Sequence, residues 1–407
     1  MNGDGHALAG RSVTKDAPRK NPAVRVAPSC HNAAHLRLLP AMRNDGWQIL
    51  SWILAGSVAA YFVYVAADHP SRDWDMVSYV MAILNDGTRD VAALNVDTWA
   101  AIKSRTTEAE LRHLTTGVPY REELYANAAA LVSQLPIYES KYGYVLLTKA
   151  VALVLHPVDT LVWISLAGSL TILAVLFGHS LRLGGIASLA WLPIVKLLNL
   201  SALSNFPTPD AIATAFVLLG VGALLARRFA WAVVLLVVAT FLRPDTFILN
   251  GLLGLWLLPQ SLRATLALAV GTIAAYQFDM WMGKHPGWWA QFTFNFMEMP
   301  TDLRVFAPRF ELAAYLDVLK AQALRIHHHD WVYSVLGLFI LAASSASGPD
   351  RPRILGLLAV LAVAFVVRFL LYPSLEWRVY SSILFALPLL VLYAAAPAVR
   401  DRHLFRR

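Results

Sequence analysis

Long apolar runs recur along the chain, separated by short polar breaks, and two polar segments interrupt the series. The first run extends from Trp47 to Ala67. Others lie near 160–178, 186–203, 209–226, 229–242, 245–258, 263–282, 331–346, 353–372 and 379–397. Backbone N–H and C=O groups in hydrocarbon must bond within their own segment, so each run predicts a helix. The polar stretch from Asp68 to Tyr142 holds short helical patterns at Met76–Leu84, Thr98–His113 and Tyr120–Leu135. Tyr144–Leu155 is apolar but short, and Lys149 interrupts it. A span needs roughly 20 residues, so this segment reads as re-entrant or interfacial.

The breaks set the orientation. With 143–157 not crossing, Arg182, Arg227, Arg228, Arg263, Arg351 and Arg353 fall on the side of the N-terminus. The positive-inside rule makes that side cytoplasmic. The expectation is an all-α polytopic membrane protein of about ten transmembrane helices. To these are added a re-entrant or interfacial helix and a long first outer loop. Its parts are a disordered basic cytoplasmic tail, 1–46; a membrane-embedded region, 47–397, with outer loops 68–142 and 284–330; and a basic cytoplasmic C-terminal tail, 398–407. Met42 stands just before the first span and is an alternative start. The apolar runs differ in length and composition and show no internal repeat, which weighs against a transporter built of inverted repeats.

Composition agrees with lipid as the solvent. Of 407 residues, 57% are hydrophobic and 15% charged, against roughly a quarter charged in soluble domains. Mean hydropathy is +0.53. The net charge of +8 resides largely in arginines of tails and short loops, so it points to membrane orientation and not to nucleic acid. One cysteine, Cys30, excludes an intrachain disulfide and a cysteine metal site.

That orientation gathers the polar motifs on the outer face. Asp73-Trp74-Asp75 follows the first span and opens an amphipathic stretch. Such a helix can lie along the membrane and hold a carboxylate at headgroup level, as a general base towards a hydroxyl; it can equally be a capped, solvated helix start. Asp210 and Asp245 follow prolines at helix starts, and Arg243 precedes one. Ionisable groups at such depth suggest a lined cavity, or caps and a snorkelling arginine. Arg368 and Arg378 suit bidentate phosphate binding, or pair with Glu376 or an acid of the first loop. Lys149, Lys196 and Asn199 are polar intrusions expected to face the interior. His327-His328-His329-Asp330 reads as an interfacial loop, since three adjacent histidines cannot converge. The metal is unknown; a divalent cation on Asp75 and a histidine stays open. Trp288, Trp289, Phe292, Phe294 and Phe296 form an interfacial anchor or a stacking platform for a sugar or prenyl chain. No nucleotide-binding or hydrolase motif occurs in the sequence.

These motifs together resemble the GT-C superfamily of integral membrane glycosyltransferases. The likeness spans about residues 47–397. It rests on Asp73-Trp74-Asp75-Met76-Val77-Ser78-Tyr79 after the first span and on Leu135-Pro136-Ile137-Tyr138-Glu139 closing the first loop. Pro209-Asp210, Arg243-Pro244-Asp245 and Trp377-Arg378-Val379-Tyr380 complete it. The chain departs from the pattern in lacking a clean Asp-Glu pair in that loop and a large soluble domain after the last span.

The resemblance implies a GT-C-like fold in a bacterial inner membrane and a polyprenyl-phosphate-linked sugar as donor. The acceptor would be an envelope glycan or lipid, with membrane lipids as further partners. It makes Asp75, or Asp73, the catalytic acidic residue and gives donor phosphate to Arg378; the guanidinium chemistry above adds Arg368 and Arg243 as further phosphate ligands. Asp210, Asp245, Glu139, Tyr138 and Lys149 would line the cavity. Two other readings are a surface-polysaccharide polymerase or ligase, using Arg304, Arg309, Arg325 or His327, and a lipid or glycan transporter without catalysis.

Overall fold

The computed structural model describes residues 46–404, with side chains to 396. The expectations for the tail before Gly46, for Cys30 and Met42, and for the last three residues fall outside that range. Among the described residues there is no strand. Four helices among the described residues are long and apolar enough to cross a membrane. They are α1 (Gly46–Asp68), α9 (Pro157–Leu181), the segment Gly348–Leu371, which contains α19 (Arg351–Leu371), and Trp377–Ala396, which contains most of α20 (Ser381–Leu404). Much of their outward surface is apolar: Ile53, Tyr61, Val63 and Val366 stand exposed. That surface needs lipid around it, and the chain is a membrane protein.

Contacts at the two ends of α1 fix direction. At its start, Ser51 Oγ donates to the Ser188 carbonyl and Ser188 Oγ to that of Trp47. Past its end, Asn205 Nδ2 donates to the His69 carbonyl, and Ser71 N–H to Asn205 Oδ1. Segment 188–205 therefore runs beside α1 and in the same direction. It is not the single helix expected for 186–203. A 3-10 turn, Gly185–Leu189, leads to α10 (Trp191–Leu197) and α11 (Leu200–Asn205). Gly184 and Gly185 have positive φ, Pro193 lies inside α10, and Asn199 is left-handed at φ 49°, each of which interrupts helix propagation. Between these two segments α9 returns: Ser165 Oγ near its start donates to the Thr208 carbonyl, and Phe177 near its end meets Trp52 at 4.6 Å.

Between α1 and α9 the chain builds a cap of short helices. They are α2 (Trp74–Leu84), α3 (Val91–Lys103), α4 (Glu108–Thr115), α5 (Pro119–Ala126), α6 (Ala128–Ser133), α7 (Leu135–Glu139) and α8 (Tyr142–Val151). The expected helices Thr98–His113 and Tyr120–Leu135 are each divided. Thr107 makes a capping box with Glu110, and Asn127 caps α6 through Ala129 and Ala130 N–H, so a new helix starts at each. The cap has its own core, including Met76, Val80, Leu94, Trp99, Leu124 and Leu131. α8 has ten residues, about 15 Å, half the hydrocarbon thickness. Lys149 near its end donates to the Asn85 carbonyl just after α2, so α8 stays at the cap.

The remaining helices complete the bundle: α12 (Asp210–Leu225), α13 (Phe229–Leu242), α14 (Phe247–Leu257), α15 (Leu262–Met282) and α18 (Asp330–Ser345). α12, α13, α14 and α18 are 11 to 16 residues long, shorter than a straight span. Arg353 and Tyr393 bond to carbonyls of Leu224 and Leu225, so the starts of α19 and the later part of α20 meet the end of α12, away from the cap. Between α15 and α18 lie α16 (Trp288–Phe296) and α17 (Leu312–Arg325). This second polar segment is clasped to the cap by Gln134 Nε2 donating to the Thr301 carbonyl and Leu303 N–H to Ser133 Oγ. Trp288 and Tyr315 fasten it to the end of α19 through the carbonyls of Leu371 and Leu370.

Candidate functional site

The site lies where cap and bundle meet, and α2 supplies its first carboxylates. Asp73 is the N-cap of α2: its Oδ1 accepts from Trp74 N–H at 2.7 Å. Asp75, in the first turn, points elsewhere. Its Oδ2 lies 3.0 Å from Arg378 Nη1, and its Oδ1 accepts from Tyr138 OH at 3.1 Å. The structure thus separates two residues that the sequence left as alternatives. Asp73 is 3.9 Å from Arg378 and does not line the cavity, whereas Asp75 does. The expectation that this helix lies along the membrane surface is corrected. Every residue from Met76 to Ile83 is buried, because α3, α7, α8 and α9 pack around it.

The arginines come from the bundle. Arg243 ends α13 in extended conformation, and Pro244–Thr246 forms a 3-10 turn. Pro244 has no N–H to continue the helix, so the chain turns with both charged side chains at the seam. Arg243 Nε bonds Asp245 Oδ1 at 2.9 Å, and its Nη1 pairs with Asp210 Oδ1. Thr208 Oγ1 donates to the other oxygen of Asp210 at 2.7 Å. Arg243 does not snorkel: it is 7% exposed. Arg368 Nη2 takes Asp245 Oδ2 at 2.5 Å and sits over the Tyr372 ring. Arg378 also binds Glu376 at 2.7 Å, so both partners foreseen for it are engaged. Hydrogen-bonded charge pairs of this kind hold one another in place where desolvation would otherwise be costly.

A cavity of about 490 Å³ opens between these groups, α5, α7 and α16, within the range of small-molecule sites. Asp75, Tyr138, Asp210, Arg243, Asp245, Arg368 and Arg378 line it. Glu139 and Lys149 do not, which corrects their expected place. Glu139 Oε1 accepts from Asn85 Nδ2 at 2.8 Å, and Lys149 reaches the Asn85 carbonyl at 2.5 Å. Both serve the end of α2: Lys149 meets a free carbonyl there, where a cation is favoured, and Glu139 binds the Asn85 side chain. Lys196 is exposed, and Asn199 makes a left-handed turn, so neither faces the interior. The Trp288 cluster does contribute: Trp288 and Phe294 line the cavity, while Trp289 stacks on Phe292.

Sequence reasoning missed several wall residues: Trp74, Tyr79, Tyr120, Arg121, Lys141, Gln291 and Asn295. Lys141 belongs to a short polar break, Glu139-Ser140-Lys141, between two apolar stretches, and that was the available signal. His285 also lines the wall, bonded to Gln291 at 2.7 Å. Burial, then the neighbouring Asp75, raises the carboxyl of Asp73 above the usual range. Burial and Asp75 likewise hold the Tyr138 phenol well above its ordinary pKa, so it stays a donor to Asp75. Burial pushes Lys141 down to about 8 and lowers His285. Among the described residues no group of three or more His, Cys, Asp or Glu is placed to hold a metal. Both oxygens of Asp75 are taken by Arg378 and Tyr138. His327 and His328 face each other at 3.9 Å away from the cavity wall.

No family model, curated relative or solved structure matches the chain.

Proposed function

We propose that the chain is a GT-C-like glycosyltransferase. It moves a monosaccharide from a polyprenyl-phosphate donor to an envelope glycan or lipid. It crosses a bacterial inner membrane in about ten passes, with segment 185–205 as a broken pass and both termini cytoplasmic. The cavity end then faces outwards, and Arg182, Arg227, Arg228, Arg263 and Arg351 lie at the cytoplasmic end.

The observation that carries the reading is Asp75 at the mouth of a half-buried, arginine-rich cavity, 3.0 Å from Arg378 and hydrogen-bonded by Tyr138. In the reaction the acceptor oxygen attacks the anomeric carbon and gives its proton to Asp75. The bond from that carbon to phosphate oxygen breaks, and the lipid phosphate leaves with the electron pair. The surrounding cations stabilise the leaving charge. The tetrad of Asp210, Arg243, Asp245 and Arg368 holds the ends of α12, α13, α14 and α19 in register. The aromatic wall of Trp74, Tyr120 and Trp288 offers ring faces to a sugar.

The polymerase or ligase reading asks for Arg304, Arg309, Arg325 or His327 at the reacting centre. None of them lines the cavity, and Arg304 is exposed and paired with Asp302. A transporter reading asks for polar groups at mid-depth, whereas the ion pairs of the bundle gather at one end. The test is Asp75→Asn. Normal membrane insertion with glycan transfer reduced by about 10²- to 10⁴-fold is expected. Undiminished transfer would return Arg304 and His327 to consideration, and substrate movement without covalent change would favour transport. Reporter fusions after residues 182 and 228 test the orientation.

A further inference from the structure

Several bundle helices are too short to cross a membrane alone, and at the cap end of α13 another helix takes up the remaining height. The 14 residues of α13 rise about 21 Å, against roughly 30 Å of hydrocarbon. Trp231 and Val234 stand exposed along it. α8 is seated on its cap end: a Cβ on Gly143 would overlap the Phe241 carbonyl, so the two backbones touch. The fit continues sideways to α15. Asp279, fully buried, accepts from Gly143 N–H at 3.2 Å, and Tyr142 meets Phe278 at 5.8 Å. α8 therefore starts about one turn below the end of α15, where Trp281 stands exposed.

From that start α8 rises away from the bundle. The chain turns after it and descends as α9, whose Ser165 donates to the carbonyl of Thr208, the residue that also bonds Asp210. Residues 157–164 of α9 stand above that level, and Val158, Leu161 and Ile164 belong to the core of the cap. The turn joining α8 to α9 lies about 12 Å beyond the tetrad. It is apolar and open: Leu153 is 85% exposed and Val154 82%. Leu146 and Ala150, one turn apart, are exposed on one face of α8, while Tyr144, Val145 and Thr148 are buried. α3 and α4 instead turn ion pairs to the solvent, Arg89 with Asp97 and Arg112 with Glu108. An apolar stripe of this kind marks a surface that something other than water covers.

We infer that this side of the cap is sunk in the membrane: α8 stands in the cap-side leaflet, in the place that a longer α13 would fill. Leu146 lies in hydrocarbon, and Leu153 and Val154 rest at the headgroup boundary. End to end, α13 and α8 reach about 36 Å, which matches the hydrocarbon plus one headgroup layer. Lipid is the occupant of the stripe because the stripe continues surface that already faces lipid. Phe278 and Trp281 of α15 lie beside it, and Trp231 and Val234 of α13 lie beneath it. An exposed Trp281 at the end of α15 fits the ring belt of a membrane interface. Arg243, where α13 ends, then lies about 9 Å beneath the hydrocarbon boundary, and α8 keeps lipid from the end of α13. Nothing in this placement depends on sugar transfer.

The experiment uses the full chain carrying Cys30→Ser, reconstituted in vesicles of phosphatidylcholine and phosphatidylglycerol. Leu146→Cys and Val154→Cys are made one at a time and spin-labelled, with Val270→Cys on α15 and Val96→Cys on α3 as the lipid and water references, both well exposed. Collisions with oxygen, which concentrates in lipid, and with a nickel chelate, which stays in water, are read at each label. Nickel access at Leu146 should be at least about 10-fold below that at Val96, because a polar chelate is costly to bring into hydrocarbon. It should lie close to the value at Val270, and Val154 should fall between the two references. Nickel access at Leu146 equal to that at Val96 overturns the placement of α8 in lipid. Equal access at Val154 overturns the placement of the turn. Labels at both positions shielded from oxygen and nickel alike would show a protein partner or a second copy over the stripe, and lipid would be the wrong occupant. No arm reads sugar transfer, so these outcomes and those of Asp75→Asn stand or fall separately.

Discussion

The cap and the bundle are both helical, but they are stabilised in different ways. Cap helices are short, and side chains cap several of them: Asp73 for α2, Asp90 for α3, Thr107 for α4 and Asn127 for α6. Met76, Val80, Leu94, Trp99, Leu124 and Leu131 turn inwards to one core while Glu108, Arg112 and Asp86 stay in water. In the bundle, α12, α13 and α14 start without a side-chain cap, and apolar residues point both ways. On α15, Leu266, Val270 and Ile273 are exposed while Leu268 is buried. Water rewards burial of apolar area, whereas lipid is as apolar as leucine and leaves packing and polar satisfaction to hold helices together. The seam between the two is where half-buried charge is tolerated, because the bundle pairs Asp210, Arg243, Asp245 and Arg368 among themselves and the cap adds Asp75 to Arg378.

The strongest way to break this contrast is at the seam. Arg243→Met removes the ion-pair partner of Asp210, which is 5% exposed, and one of the two partners of Asp245. A loss of about 3–5 kcal/mol is expected, read as a lower unfolding midpoint in detergent. Adding Asp210→Asn should restore part of it. If Arg243→Met alone leaves the midpoint unchanged, the tetrad does not hold the helix ends together.

The next effect separates the two solvents directly. Leu131→Ala, at a fully buried site of the cap, should cost about 3 kcal/mol. Val270→Ala, 67% exposed on the bundle, should cost under about 0.5 kcal/mol, since its methyl groups leave lipid for lipid. Equal losses at the two sites would mean that α15 is packed against something other than lipid.

A smaller effect concerns Lys141. Burial lowers its pKa to about 8 from 10.5, so the folded protein loses this proton before the unfolded chain does. Stability therefore rises with pH across that window. Raising the pH from 8 to 10 should raise the unfolding midpoint, and Lys141→Arg should flatten that profile. The groups facing the ammonium from other elements are Asp75, Asp245, Arg243, Arg378 and His285. They are unchanged in that variant, which serves as their control.

How much of this was legible beforehand differs between the two regions. In the bundle the apolar runs located α1, α9, α19 and α20 directly, because lipid forces long unbroken hydrophobic stretches. The same rule misread 186–203, since hydropathy is blind to a left-handed Asn199. In the cap, α2 was foreseen as a helix but placed on a surface. Its polar edge, Asp73 and Asp75, suggested solvent, whereas it meets Arg378. The pairing of Asp245 with Arg368 links positions far apart in the chain, and no local pattern encodes such a contact. Lys141 could be seen only as half of an opposite-charge pair with Glu139 in a short polar break. Its lack of a carboxylate partner is a property of the assembled wall.

The smallest expected effect asks whether the cap folds as a unit of its own. Thr107 and Glu110 close a reciprocal capping box, with Thr107 N–H donating to Glu110 at 2.7 Å. Thr107→Ala removes the side-chain half of it at a cost of about 1 kcal/mol. In a bundle helix that loss would spread through lipid-embedded neighbours. In the cap it should stay local, speeding amide exchange in α3, α4 and α5 and leaving α12 and α13 untouched. Exchange faster by about 5-fold within the cap alone would mark it as a separate cooperative unit resting on the bundle. The same acceleration appearing in α12 or α13 would show that cap and bundle open together. The cavity would then form and dissolve as one piece with the membrane helices beneath it.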